Sequence, residues 1–263
     1  MNKVLAGLAC LVLISSCGDR GHQNFQLTSS HIIDGKIIDA QDSLARYTVG
    51  VTNKNVLMVC TGTIIAENII LTAAHCVEHD EAKDMRVVFG SKIRDPKNTV
   101  SAEAVSIHKD YIHDTNIDND IALIKIVGKI PSSYKVLDVE RSSQLLLEKG
   151  TLIKVAGFGK NKNGFFGGGG AGILRKGQVT LDEYSAEEKL LVLDQTNENG
   201  ICNGDSGGGA FVELDGELIQ LGVNSFVPSK KSGFSKGDCK KKSYLTNIAY
   251  YLDWIQLRIA ELN

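Results

Sequence analysis

Apolar residues along this chain fall into short runs, with Gly, Asn, Asp and Ser clustered between them. The runs are Thr48–Val51, Leu57–Val59, Thr63–Ile65, Ile69–Leu71, Met85–Phe89, Ile121–Ile126, Leu152–Ala156, Gly209–Val212 and Leu218–Val223. β-Branched and other apolar side chains of this kind suit the pleated, half-buried surface of a strand. Many short strands at such spacing predict an all-β barrel or sandwich. The C-terminus differs. Tyr251, Leu252, Trp254, Ile255, Leu257, Ile259 and Leu262 suggest a helix with one apolar face, expected to pack on the second half of the fold. No internal repeat is evident. Phe165 to Gly172 is glycine-rich and reads as a mobile loop. A phosphate cradle there would need a downstream Lys-Ser/Thr and a following helix, and it has neither.

The first residues read as a targeting segment. Lys3 precedes an apolar stretch, Val4 to Ile14, which ends in Ser15, Ser16 and Cys17. The stretch is too short for a permanent membrane span and ends in small residues, so 1–16 is expected to be a signal peptide. Ile14-Ser15-Ser16-Cys17 also resembles a bacterial lipobox, which would make Cys17 a lipidated first residue. Residues 17–31 then form a polar linker or propeptide, and 32–263 the folded domain. Of six cysteines, Cys10 would leave with the signal and Cys17 would carry lipid. Cys60, Cys76, Cys202 and Cys239 remain. An even remainder in an exported chain implies two disulfides, with three connectivities open. No two of the four sit at short metal-ligand spacing, which argues against zinc. Lys and Arg number 29 against 31 Asp and Glu, so nothing global points to nucleic acid.

Ser206 lies in Gly204-Asp205-Ser206-Gly207-Gly208. Flanking glycines permit a sharp turn and close approach of a substrate, and a serine needs a base and an orienting acid to become a nucleophile. The pentapeptide also satisfies the nucleophile elbow of α/β-hydrolases, but that fold needs its His after the Ser. His22, His31, His75, His79, His108 and His113 all precede Ser206, so this reading fails on chain order. The order His, Asp, Ser is available. His75 sits in Thr72-Ala73-Ala74-His75-Cys76 and Asp120 in Asn119-Asp120-Ile121-Ala122-Leu123. Asp118 competes for the acid role, but only Asp120 immediately precedes the apolar run. His79, His108 and His113 read as structural.

In these three motifs, in this order, the chain from Ile32 to about Ile255 resembles the trypsin/chymotrypsin family. The resemblance implies two six-stranded antiparallel Greek-key barrels with a C-terminal helix, and a serine endopeptidase needing no cofactor. It implies His75, Asp120 and Ser206 as catalytic triad, and the N–H groups of Gly204 and Ser206 as oxyanion hole. Ser225 would help satisfy the Asp120 carboxylate. The disulfides would be Cys60–Cys76 and Cys202–Cys239, and the lack of other bridges suits a bacterial relative. Ile32-Ile33-Asp34-Gly35 resembles the family's activation terminus, whose ammonium would pair with Asp205. No Arg or Lys precedes it in Ser29-Ser30-His31. The pocket for the residue before the scissile bond would be shaped by Gly200, Ile201, Ser225, Val227 and Ser243 (or Tyr244). With Gly200 at its base it carries no charge and favours small aliphatic side chains. Ser91-Lys92-Ile93-Arg94 stands where the family's acidic calcium loop lies, so no metal is expected. The expected partners are protein or peptide substrates and, through lipid alone, a membrane. The chain is expected to act as a monomer in a bacterial envelope or outside the cell. The competing function is a catalytically silent binding module of the same fold.

Overall fold

The computed structural model describes residues 32, 35–39, 41–113, 118–160, 170–187, 189–196, 200–226 and 239–263. Cys17, the proposed signal and linker, Val227 and most of the glycine-rich loop lie outside these residues.

Of the thirteen strands among the described residues, twelve form two antiparallel barrels. The first contains β2 (Thr48–Asn53), β3 (Cys60–Ile64), β4 (Ile69–Thr72), β5 (Met85–Val88), β6 (Thr99–Ile107) and β7 (Ala122–Ile126). It closes in the order β2-β3-β4-β7-β6-β5. The second contains β8 (Leu152–Gly157), β9 (Arg175–Ser185), β10 (Leu190–Asp194), β11 (Gly209–Leu214), β12 (Glu217–Phe226) and β13 (Lys242–Asn247). It runs β8-β9-β10-β13-β12-β11 and closes because β11 pairs back onto β8. The two rings share one connectivity, so the fold contains a repeat that the sequence does not display. Closure leaves no long edge to template aggregation. The short β1 (Lys36–Ile37) adds to the outside of β9.

The inward faces explain the apolar runs. Val49, Val51, Ile64, Ile70, Val87 and Ile124 belong to the first core, and Val155, Val179, Leu193 and Leu245 to the second. β3 lies against β8 and β11, so the barrels meet there.

Leu57–Val59 is not a strand. It is the irregular approach to β3, and Leu57 is largely exposed. β6, β9 and β13 do not stand out as apolar runs because polar residues alternate along them, whereas β10, Leu-Leu-Val-Leu-Asp, is a buried apolar run that the sequence reading passes over. β9 reads Arg-Lys-Gly-Gln-Val-Thr-Leu-Asp-Glu-Tyr-Ser and buries only alternate residues over its central part. The helix α1 (Leu252–Leu262) forms as expected but packs on the first barrel. The 3₁₀ turn Ile248–Tyr250 after β13 carries the chain back. Tyr251 and Ile255 then enter the first core, flanked by Trp254 and Ile259.

Both disulfides join as the resemblance implied, Cys60 to Cys76 across 16 residues and Cys202 to Cys239 across 37. By loop-closure entropy they are worth about 3 and about 4 kcal/mol respectively. Replacing Cys60 and Cys76 together by Ser should lower unfolding free energy by about 3 kcal/mol in denaturant titrations, and the Cys202/Cys239 pair should cost more.

Candidate active site

The site lies where the barrels meet and is built around one carboxylate. Asp120 is 4 % exposed and immediately precedes Ile121 and β7. Its Oδ2 is 2.8 Å from His75 Nδ1, and its Oδ1 accepts the His75 backbone N–H at 3.0 Å. The Ser225 hydroxyl, from β12, donates a close hydrogen bond to Oδ2, and Thr246 Oγ1 donates to the Asp120 carbonyl at 3.0 Å. Burial works against the charge, but the bonds and charge of His75, with Ser225, outweigh it and hold Asp120 below the ordinary carboxylate range. Burial likewise disfavours imidazolium at His75. The hydrogen bond and charge of Asp120, with Glu78 behind, reverse this and raise the pKa above 6.5. Of the two candidate aspartates, Asp120 is the one that meets His75.

Ser206 reaches this place through Thr61, a β3 residue that the sequence reading did not single out. Thr61 N–H donates to the Ser206 carbonyl at 2.8 Å, and Thr61 Oγ1 donates to the Gly204 carbonyl at 2.9 Å. The Thr61 carbonyl accepts from Thr72 Oγ1 at 2.8 Å, at the end of β4 just before His75. Gly207 has φ +80°, and a Cβ there would lie 2.1 Å from Thr72 Oγ1 and 2.3 Å from the Thr61 carbonyl. That close contact seats the serine loop against the strand end from which His75 emerges. Gly204 has φ +101° and backs onto the Gly159 Cα. The N–H groups of Asp205, Gly207 and Gly208 bond to Cys202, Asn224 and Asp205 carbonyls. Among the described residues, no such acceptor binds the N–H of Gly204 or Ser206.

The predicted pocket residues are tied together by Gln195, also unforeseen. Its buried amide accepts from Ile201 N–H at 2.6 Å and from Ser243 Oγ at 2.9 Å, and donates to the Cys239 carbonyl at 3.0 Å. A Cβ on Gly200 would lie 2.3 Å from that same carbonyl. Tyr244 instead stacks on Phe226, so Ser243 is the inward residue of that pair. Glu78, His79 and His113 cluster beside the His75 turn, with His113 Nδ1 2.6 Å from Glu78 Oε1.

Asp205 is 1 % exposed and accepts from Gly159 N–H at 2.8 Å and Cys202 N–H at 2.9 Å. Ile32 is buried in the second core. Burial raises the Asp205 pKa to about 7, against those two donors and the nearby charge of Arg175.

Residues 32–255 match the Trypsin family model. The chain belongs to the trypsin family. It is 29% identical over 219 residues to chymotrypsin-like elastase family member 1 of Homo sapiens, covering 76% of this chain and 81% of that one. It is 27% identical over 218 residues to trypsin-1 of Astacus astacus, covering 75% and 86%. A third relative, trypsin Tyr p 3.0101 of Tyrophagus putrescentiae, is 29% identical over 225 residues, covering 75% and 71%. The trypsin-like chain is therefore a member of a serine protease family.

The buried Asp205 gives a pH signature. Its folded pKa of about 7 exceeds the ordinary 3.8, so between these values the folded state holds a proton that the unfolded state has lost. Stability therefore falls as pH rises from about 4 to about 7. Thermal melts of Asp205→Asn should lack this component, so the parent-minus-variant difference in stability should shrink as pH rises from about 4 to about 7.

Proposed function

We propose that the chain is a serine endopeptidase acting through an acyl-enzyme. The observation that carries this is a single buried carboxylate, Asp120, holding both the ring and the backbone N–H of His75, with Ser206 fastened to the adjoining strand end. In this reading Ser206 Oγ attacks the peptide carbonyl and its proton passes to His75 Nε2. Nδ1–H stays on Asp120, which fixes the tautomer and stabilises the imidazolium. The N–H groups of Gly204 and Ser206 receive the developing oxyanion, each worth about 2.7–4 kcal/mol of barrier. His75 returns the proton to the leaving amine, and water repeats the cycle to free the acyl group. A silent binding module is the weaker reading, because every residue that the chemistry requires is retained.

Small aliphatic side chains before the scissile bond fit best. The polar group behind Gly200 is the neutral Gln195 amide, already committed to Ile201, Cys239 and Ser243. Similarity to proteins named as elastases agrees with this. Peptide amides with Ala or Val at that position should be cleaved faster than those with Arg, Lys or Phe. His75→Ala and Ser206→Ala should each lower kcat by about 10⁴-fold or more, and their double mutant should be no worse. Because His75 must be neutral to act as base, kcat/KM should fall with decreasing pH through a value above 6.5. Full activity of Ser206→Ala, or a preference for Arg, would overturn the respective assignment.

The protein is further proposed to be an exported lipoprotein, anchored at Cys17 and matured by a cut before Ile32. Ile32 supports the cut. It has φ +49°, unfavourable for a β-branched residue, while its side chain is buried. A terminal Ile32 has no preceding carbonyl to clash, and its ammonium could approach Asp205. Both disulfides lie beyond Ile32, so the same cut would release the domain. Labelling with a palmitate analogue should mark the precursor, and Cys17→Ser should abolish the label. An unchanged label would remove the anchor.

A further inference from the structure

Arg175 is the least expected side chain in the interior. It opens β9 and is 1 % exposed. A buried guanidinium is costly unless its charge and its donors are answered. Nη1 donates to the Gly170 carbonyl and, at 2.9 Å, to the Ile173 carbonyl, whereas among the described residues Nε has no hydrogen-bond partner. Among the described residues no carboxylate lies within ion-pair distance. The negative charge it senses is Asp205.

Gly159 links the two. Its N–H donates to Asp205 Oδ1 at 2.8 Å, and its carbonyl accepts from Arg175 Nη1 at 3.5 Å. A Cβ on Gly159 would fall 2.4 Å from Asp205 Oδ2, and one on Gly157 2.2 Å from Oδ1, so both glycines make room for the carboxylate. Gly157 is the register partner of Arg175 across β8–β9. The cation and the anion therefore occupy one buried compartment, bridged by one residue. On its other side Arg175 pairs with Ile37 of β1, the strand that follows Ile32. The strand a few residues beyond the proposed cut is thus docked on the strand that begins with this arginine.

We propose that Arg175 is a built-in counter-charge for Asp205 in the uncut chain, holding the loop from Cys202 to Ser206 in working geometry before any new terminus forms at Ile32. The uncut chain then has peptidase activity of its own. Cutting adds the Ile32 ammonium as a second cation and raises that activity further. The proposal rests on the peptidase reading above. Arg175 is a positioning residue, since it reaches the reacting groups only through Asp205 and Gly159.

The test uses the full chain with a specific protease site in place of Ser29-Ser30-His31, so that cutting leaves Ile32 first. Parent, Arg175→Met and Arg175→Lys are assayed uncut and cut, on peptide amides and by labelling of Ser206 with a fluorophosphonate. Uncut Arg175→Met should lose at least about 100-fold in kcat relative to the uncut parent, and Arg175→Lys should keep most of it. After cutting, Arg175→Met should recover to within a few-fold of the cut parent, because the ammonium replaces the missing cation. A purely structural arginine would give a loss that cutting does not repair, and that result would overturn the proposal. So would an uncut parent no more active than Ser206→Ala, or an uncut Arg175→Met equal to the parent. If the cut parent itself cleaves nothing and takes no label, the peptidase reading fails and this proposal falls with it.

Discussion

A buried carboxylate cannot stay ionised unless every lone pair and the net charge are answered. Asp120 imposes that demand at the seam between two barrels. Its answers come from both sides: the ring and main chain of His75 from the first barrel, and Ser225 and Thr246 from the second. Separating the barrels would strand the charge. The same bonds fix His75 in one tautomer and one orientation, so the feature that costs most on burial also orients the candidate base.

Asp205 sets a second and harsher version of the problem. Among the described residues only two N–H groups bond its carboxylate, and burial still pushes its pKa to about 7. Its cradle is made by removing side chains at Gly157 and Gly159 rather than by adding partners. The loop that follows it carries Ser206, so the state of one buried charge is transmitted directly to the candidate nucleophile. Thr61 supplies the opposite anchor, with N–H, hydroxyl and carbonyl all engaged between the serine loop and the His75 strand end.

The connectivity common to both barrels shows how little of a β-fold needs to be visible as sequence similarity. Each ring needs alternating inward apolar residues and antiparallel neighbours, and many sequences meet that condition. β6 and β9 meet it with polar residues interleaved among the apolar ones, which is why an apolar-run reading passes over them. The helix direction was also hidden. An apolar face signals that α1 must be covered, while its partner depends on where the turn after β13 points the chain.

The all-β class, the C-terminal helix and the three motifs containing His75, Asp120 and Ser206 are legible in the chain before folding. These depend on local periodicity or on neighbours within a few residues. The chain also held the four cysteines, although their pairing came from resemblance and not from spacing. Its place before the apolar run already favours Asp120 over Asp118, and the fold brings Asp120 to His75. Closing the barrels further shows that Thr61 ties down the serine loop, that Gln195 joins Ile201, Ser243 and Cys239, and that Arg175 shares a compartment with Asp205. Each of these is a hydrogen bond or a charge interaction between residues far apart in the chain, made by side chains that look ordinary in a strand or a loop. Their roles arise from burial, which turns an ordinary polar group into one that must find a partner, and burial is a property of the closed barrels rather than of any single segment.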